Sequence, residues 1–436
     1  MKANTRSIIL DILMEINENN QFSNVILKQA LNKYQYLEHS DRAFISRVVR
    51  GSVERKITLD YFIDAVSKVK TAKMKPVVRN IMRMSVYQIM YMDAVTDYAV
   101  CNEAVKLAAK RGFQSLRGFV NGVLRNICRN KESLSCDTNM TDSVKYSMPQ
   151  WIIDLWEKAY GSENTERLLK AQYLKRPLAI RCNTNKCSVD QLIELLEKRK
   201  ITVSRVDFPK EALLISGYDY IDKIPEFDEG FFTIQDISSM LVGSIAAPKK
   251  ENLVVDVCAA PGSKTTHVAA VMENTGKVIA RDISDAKVSL IDENAARLSL
   301  TNIETQVFDA TVPDEELIGK ADIVIADLPC SGLGIIGRKP DIKYNMSRQA
   351  LQDLSELQRK ILSVVSQYVK PGGKLIYSTC TLNPQENREN AEWIAANLPF
   401  ELMPVKELGN TDGMYEIMPD EKQDGFFISQ FVRKRD

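Results

Sequence analysis

The stretch Leu253-Val254-Val255-Asp256-Val257-Cys258-Ala259-Ala260-Pro261-Gly262-Ser263-Lys264-Thr265 decides how this chain is read. An apolar run of strand length ends on an acid, passes through small residues and enters a segment that reads as a helix. Strand, tight loop, helix is the opening unit of a parallel α/β sheet, whose ligand sits outside the carboxyl ends of the strands. The loop is neither G-x-G-x-x-G nor a phosphate-cradling G-x-x-x-x-G-K-[ST], and its single glycine disfavours a pyrophosphate. Its small residues still let the backbone approach a ligand closely. A ligand with an adenosine and an amino acid but no phosphate suits it. Cys258, Ala259, Ala260, Pro261, Gly262, Ser263 and Lys264 are its candidate contacts.

Downstream, apolar runs of strand length recur at Lys277–Ala280, Glu304–Phe308, Ile323–Ala326 and Lys374–Tyr377. Ser284–Ser299 and Ser347–Val369 read as helices between them. The alternation predicts a doubly wound, Rossmann-like parallel sheet covered on both faces. Asp282 follows Gly262 by 20 residues at the end of the second run, where such folds place an acid on ribose hydroxyls. Asp309 ends the third run and could accept from an adenine amino group; Asp327 ends the fourth. An acid-rich crevice suits the cationic sulfonium of S-adenosylmethionine better than a dinucleotide.

Upstream the pattern is different. Ile8, Ile9, Ile12, Leu13 and Ile16 recur at helical spacing, as do Val77, Ile81, Met84, Ile89 and Met90. Residues 1–130 therefore read as an all-α bundle, followed by a polar linker from Asn130 to Asp142. Residues 145–245 read as a small α+β subdomain, with helices at Trp151–Ala159, Asn164–Gln172 and Val189–Lys198 and strands at Pro177–Cys182 and Ala212–Ile215. Residues 246–436 form the Rossmann-like part. Residues 1–130 hold 21 lysines and arginines against 11 acids, a net of about +10, which leaves about −9 on the remainder. A basic helical module suggests an anionic partner, with nucleic acid favoured over a merely solvated surface.

No run of about 18 apolar residues is present, so no membrane span is expected. Met1–Asn20 lacks the apolar core of a secretion signal, and a cytoplasmic protein is expected. The eight cysteines, Cys101, Cys128, Cys136, Cys182, Cys187, Cys258, Cys330 and Cys380, form no C-x-x-C pair and read as reduced thiols. Cys182 and Cys187 lie five apart without further ligands, so no metal is expected.

Two of these cysteines fall at the crevice. Asp327-Leu328-Pro329-Cys330-Ser331-Gly332 ends the fourth run and Ser378-Thr379-Cys380-Thr381 ends the fifth. A thiolate beside a sulfonium suits methylation of a poor carbon nucleophile such as cytosine C5. Attack on C6 pushes electron density to C5, which takes the methyl group; loss of the C5 proton and of the thiol restores the ring. This needs a thiolate, an acid near N3 and a means of release. A free thiol titrates near about 8.5, so nearby positive charge helps, and Lys264, Arg338, Lys339 and Lys343 are candidates. The cation-rich loop Ile335–Tyr344, directly after Cys330, is expected to help line the base pocket. A thiol hydrolase would need a histidine base; there are only two histidines, His39 and His267, and His267 reads as a helix-surface or packing residue.

The segments DVCAAPGSKTTH, DLPCSGLGIIGRKPDIKY and YSTCTLNPQENREN resemble the Nop2/Sun family of RNA cytosine-C5 methyltransferases. The resemblance implies that Cys380 attacks C6, that Cys330 assists release of the product and that Asp327 contacts the base around N3. It also implies that Asp282 and Asp309 hold the ribose and adenine of S-adenosylmethionine and that Lys264 faces the active site. Ser263 and Leu328 depart from the residues common at their positions. The segments RGSVERKITLDYFI, SVYQIMYMD and GFVNGVLRNI resemble the NusB-type RNA-binding helical domain. FFTIQDISSMLV and DGFFISQFVRK extend the likeness through the rest of the chain. The combination resembles the bacterial ribosomal branch of the family and implies 16S ribosomal RNA, or an assembly intermediate of it, as partner of a monomeric enzyme. The catalytic motifs alone leave open the same chemistry on transfer RNA or at another ribosomal RNA site, and an RNA-binding scaffold is the non-enzymatic alternative.

Overall fold

Hydrophobic periodicity in the first third of the chain is satisfied by helices. In the computed structural model, which describes residues 4–405, 408–409 and 412–435, these run Thr5–Glu18, Ser23–Lys33, His39–Glu54, Lys56–Val66, Pro76–Tyr91, Asp97–Lys110 and Arg117–Arg129. Their starts follow local chemistry. The Asn4 side chain accepts from Ser7 N, Thr96 accepts from Ala99 N, and Pro76 occupies the first turn of its helix. Ile9, Leu13, Ile81 and Leu124 meet in one core. The expected linker is partly helical, with short helices at Lys131–Ser135 and Asp142–Lys145.

The chain packs as two units. One holds residues 1–170 together with Arg338–Asn345; the other holds 171–337 and 346–436. The helix Gln150–Ala171, broken at Gly161, falls in the first of these units up to Lys170.

In the second unit, β1 (Leu178–Cys182), β2 (Thr202–Arg205), β3 (Ala212–Ser216) and β4 (Phe232–Ile234) form an antiparallel sheet in the order β2-β3-β1-β4. A larger sheet follows from β5 (Leu253–Asp256), β6 (Lys277–Asp282), β7 (Ile303–Val307), β8 (Ala321–Asp327), β9 (Val369–Thr379), β10 (Phe400–Leu402), β11 (Met414–Ile417) and β12 (Phe426–Arg433). Its order is β10-β12-β9-β8-β5-β6-β7, with β11 also on β12. The five expected strands are the parallel ones, β5 to β9. The sheet is nonetheless mixed, because β12 runs antiparallel between β9 and β10. Alternate residues feed opposite faces: Val255, Val324 and Leu375 pack on one side, and Val254, Ile323, Ile325 and Ile376 on the other. The helix Arg348–Val365, capped by Ser347, ends four residues before the expected Val369, which instead begins β9.

Strand order reverses between β5 and β8. The chain winds from β5 through β6 to β7, then returns to the other side of β5. The crevice at that switch point is where such sheets bind ligands.

Candidate active site

Gly262 has a φ of +96°, a conformation strongly disfavoured for residues with a Cβ, and a Cβ there would stand 3.1 Å from Ile291. The turn ends β5 and starts the helix Ser263–Val271. It aims Lys264 at the end of β8, where its Nζ lies 2.6 Å from Asp327 Oδ2. Burial opposes charge on this ammonium, but Asp327, Asp256 and Cys380 outweigh it and hold its pKa above the ordinary value. The other Asp327 oxygen accepts from Ser378 Oγ at 2.8 Å, so β9 and β8 share the carboxylate.

Cys330 and Cys380, 50 residues apart in sequence, have their Sγ atoms 3.3 Å apart. Both are free thiols and partly exposed. Hydrogen bonding to Cys380, then burial, then the negative charges of Cys380, Glu386 and Asp327 push the Cys330 thiol well above its usual value. Cys330 is therefore held as a neutral thiol beside Cys380.

A buried polar cluster fixes the two loops. Glu386, fully buried, accepts from Ser331 N at 2.9 Å and from Ser331 Oγ. It also accepts from Asn383 at 2.9 Å and from Gln358 at 3.0 Å. Ser331 Oγ lies 2.6 Å from Thr381 Oγ1, which itself accepts from Leu333 N. The neighbours of the two cysteines, Ser331 and Thr381, are thus joined hydroxyl to hydroxyl, with Ser331 held by Glu386. Sequence reasoning did not single out Glu386; its signal was an acid inside the NPQEN stretch just after the second cysteine motif.

The cofactor side of the crevice is acidic. Asp256 is fully buried and accepts from Thr265 Oγ1 at 2.7 Å, while its other oxygen is buried without a hydrogen-bond partner. Burial raises its pKa to about 7. Burial, then Asp256, Asp282 and Asp327, raise the Cys258 thiol, which stays neutral. Asp282 ends β6 as expected. It accepts from Ala260 N at 3.0 Å, Ile283 N at 2.8 Å and Lys287 Nζ at 2.9 Å, so three of a carboxylate's roughly four acceptor positions are in use. Asp309 lies two residues beyond β7, where its Oδ1 accepts from Thr311 N and Oγ1, both at 2.8 Å, closing a turn. The small-residue loop, the orphaned oxygen of Asp256 and the surrounding carboxylates fit a cationic, phosphate-free ligand. Arg181 of β1 was also missed: it donates to Ser263 O at 2.8 Å and to Thr266 Oγ1 at 3.1 Å, bracing the loop from the small sheet.

Other expectations resolve differently. His267 is buried, with Nε2 2.8 Å from Glu211, and is a packing residue. Arg338, Lys339 and Lys343 lie in the segment that packs with the helical unit. Lys343 is fully buried there and donates to the Glu54 carbonyl at 2.8 Å. Burial lowers its pKa to about 7. It is not the thiol-activating cation the sequence suggested; Lys264 is the lysine coupled to Cys380. Among the described residues, no helix is long and apolar enough to cross a membrane.

Comparison with known proteins places this geometry. A family model described as 16S rRNA methyltransferase RsmB/F matches residues 244–432, the NusB family model matches 3–129, and a ferredoxin-like domain of RsmF/B-like methyltransferases matches 148–219. The chain is 34% identical to a probable ribosomal RNA small subunit methyltransferase B of Bacillus subtilis, over 99% of both chains. It is 30% identical to ribosomal RNA small subunit methyltransferase B of Vibrio cholerae, over 91% of this chain and 90% of that one. A solved methyltransferase homolog from Pyrococcus horikoshii superposes with a TM-score of 0.60 at 28% identity, covering 67% of this chain and 97% of its own. With the helical, ferredoxin-like and catalytic parts all matched, the chain belongs to the RsmB/F family of S-adenosylmethionine-dependent ribosomal RNA methyltransferases.

Proposed function

We propose that the protein methylates C5 of one cytosine in 16S ribosomal RNA, cytosine 967 being the implied target, through a covalent bond from Cys380 to C6. The observation that carries this reading is the 3.3 Å approach of Cys330 to Cys380 beside the Lys264–Asp327 pair. Bound in the crevice, S-adenosylmethionine supplies an electrophilic methyl group. The chain's own residues do the rest. Lys264 and the Cys330 S–H stabilise the Cys380 thiolate. That thiolate adds to C6 while Asp327 favours the protonated state at N3. After methyl transfer, the C5 proton is lost, the Sγ–C6 bond breaks and its electron pair returns to Cys380. Cys330, donating to the departing sulfur, assists that release. Asp256, Asp282 and Asp309, with the Cys258–Lys264 loop, hold the cofactor.

The same reading assigns residues 1–130 to RNA binding, 145–245 to a small α+β subdomain and 246–436 to catalysis. The enzyme acts as a single chain in the cytoplasm on free or assembling small-subunit RNA. A buried or stacked base is inaccessible to two thiols in a crevice, so the target lies in a loop or is flipped out. Bisulfite sequencing of total RNA with and without the protein is the test. One 16S cytosine resistant to conversion only when the protein is present is expected; an unchanged 16S profile would refute the reading.

A further inference from the structure

The helices Asp97–Lys110 and Arg117–Arg129 pack side by side, with Cys101 Sγ 3.9 Å from Cys128 Sγ. An open groove of about 800 Å³ runs along them. One wall is a stripe at four-residue spacing, Arg117, Asn121, Arg125 and Arg129, which lies on a single helical face. The three arginines are exposed, and among the described residues none is in an ion pair. Arg125 Nε donates only sideways to Asn121, at 3.3 Å. The other helix presents Tyr98, 74% exposed, with the Asn102 amide beside it in the lining. The only acid in the lining, Asp97, is half-buried.

Gly118 belongs to the same lining. A Cβ there would meet nothing within 4 Å, so packing does not require glycine. Glycine inside a helix costs about 1 kcal/mol relative to alanine. What it leaves is bare backbone open to the groove. Arg117 and Arg129 are separated by roughly 18 Å along the helix axis, a span that several backbone phosphates would fill.

We propose that this groove binds a single-stranded segment of the RNA substrate, with phosphates on Arg117, Arg125 and Arg129 and a base stacked on Tyr98. The inference rests on the reading of RNA as substrate and gives the helical unit a specific place to hold it. Unpaired arginines supply the sequence-independent attraction to phosphate. An exposed aromatic ring beside amide groups suits an unstacked base, which an acidic peptide does not carry.

The test uses the full chain with Arg117→Glu, Arg125→Glu and Arg129→Glu combined, and separately Tyr98→Ala. The probe is a fluorescent single-stranded fragment of 16S RNA, and methylation of the whole RNA is followed in parallel. For the triple variant the dependence of log affinity on log salt should flatten by about 2, at about 0.7 per phosphate contact on a single strand. The KM for RNA should rise roughly 10- to 100-fold with kcat at saturating RNA nearly unchanged, and Tyr98→Ala should weaken binding roughly 5- to 100-fold. Melting temperature and S-adenosylmethionine binding serve as folding controls, and Tyr98, being exposed, keeps the test valid if the triple variant misfolds. An unchanged salt slope and KM would overturn the proposal, as would loss of binding to polyglutamate with RNA binding intact. Failure of the wild-type protein to methylate RNA would refute the functional reading itself, whereas loss of fragment binding on charge reversal would still support the groove.

Discussion

Both units of this molecule bury a lysine and bring two cysteines together, and only one of them is built for chemistry. In the helical unit Lys343 faces a backbone carbonyl, and its pKa falls to about 7. Its neighbour Glu54 is raised, chiefly by burial, against the pull of Arg55 and Lys343. Cys101 and Cys128 lie 3.9 Å apart; burial raises both, Cys128 to about 12. In the crevice Lys264 is equally enclosed, yet Asp327 at 2.6 Å keeps it charged and it is coupled to Cys380. Burial alone silences ionisable groups; burial with a fixed counter-charge makes a buried cation able to stabilise a thiolate.

The largest difference should appear in activity. Lys264→Met is expected to slow single-turnover methylation by on the order of 10²–10⁴-fold, the usual range for a lost proton-transfer or charge-stabilising group. Lys343→Met should leave it within about threefold. Equal losses in both would break the comparison.

Stability should split the other way. Lys264→Met strands Asp327 beside Ser378 alone and should cost up to about 3 kcal/mol. Lys343→Met should be neutral or stabilising, by about 1–3 kcal/mol, because burial disfavours the ammonium more than Glu54 favours it. The pH dependence follows from the direction of the shift. The folded pKa, about 7, lies below the unfolded value, so between these limits the unfolded state binds more protons and wild-type stability rises with pH. The variant's advantage should be full below pH 7 and fade toward about pH 10. Denaturant titrations at pH 6 and pH 9.5 check this; a constant advantage would contradict it.

Glu386→Ala sharpens the crevice side. It leaves Ser331 N and the Asn383 amide without this acceptor, while Gln358 keeps the Pro329 carbonyl. The expected cost is about 2–4 kcal/mol. A fall of roughly 10- to 100-fold in kcat, through misplacement of the thiols, should accompany it. Glu386→Gln should restore most of the stability. Normal kcat in Glu386→Ala would show that the cluster does not position the thiols. The smallest effect is reserved for the helical pair. Cys128→Ala should cost less than about 1.5 kcal/mol and leave turnover unchanged.

Much of this was legible in the sequence because strand ends are where α/β sheets place ligands. Asp282, Asp327, Cys330 and Cys380 each close an apolar run, and the fold brings the last three together with Lys264. Proximity along the chain misled in one place. Of the cations after Cys330 that read as part of the pocket, Lys343 is instead buried with the helical unit, a pairing that no local pattern encodes. Arg181 and Glu386 were invisible because each acts across more than 50 residues or through a buried cluster, and neither follows a periodic signal. β11 and β12 went unread as strands because antiparallel partners carry no helix between them to announce a crossover. The interaction between segment 338–345 and the helices also means that deleting residues 1–130 would strip Lys343 of its partner, so point variants are the cleaner probe of RNA binding.

The central claim is a division of labour between two sulfurs 3.3 Å apart. The direct measurement is a denaturing gel of the protein mixed with its RNA and S-adenosylmethionine, for Cys380→Ala, Cys330→Ala and the double variant. Cys330→Ala should form the C6 bond but release it slowly, leaving an RNA–protein adduct that survives denaturation. Cys380→Ala and the double variant should give no adduct, and Cys380→Ala should methylate only at background. An adduct from Cys380→Ala with none from Cys330→Ala, or full activity in Cys380→Ala, would contradict the account.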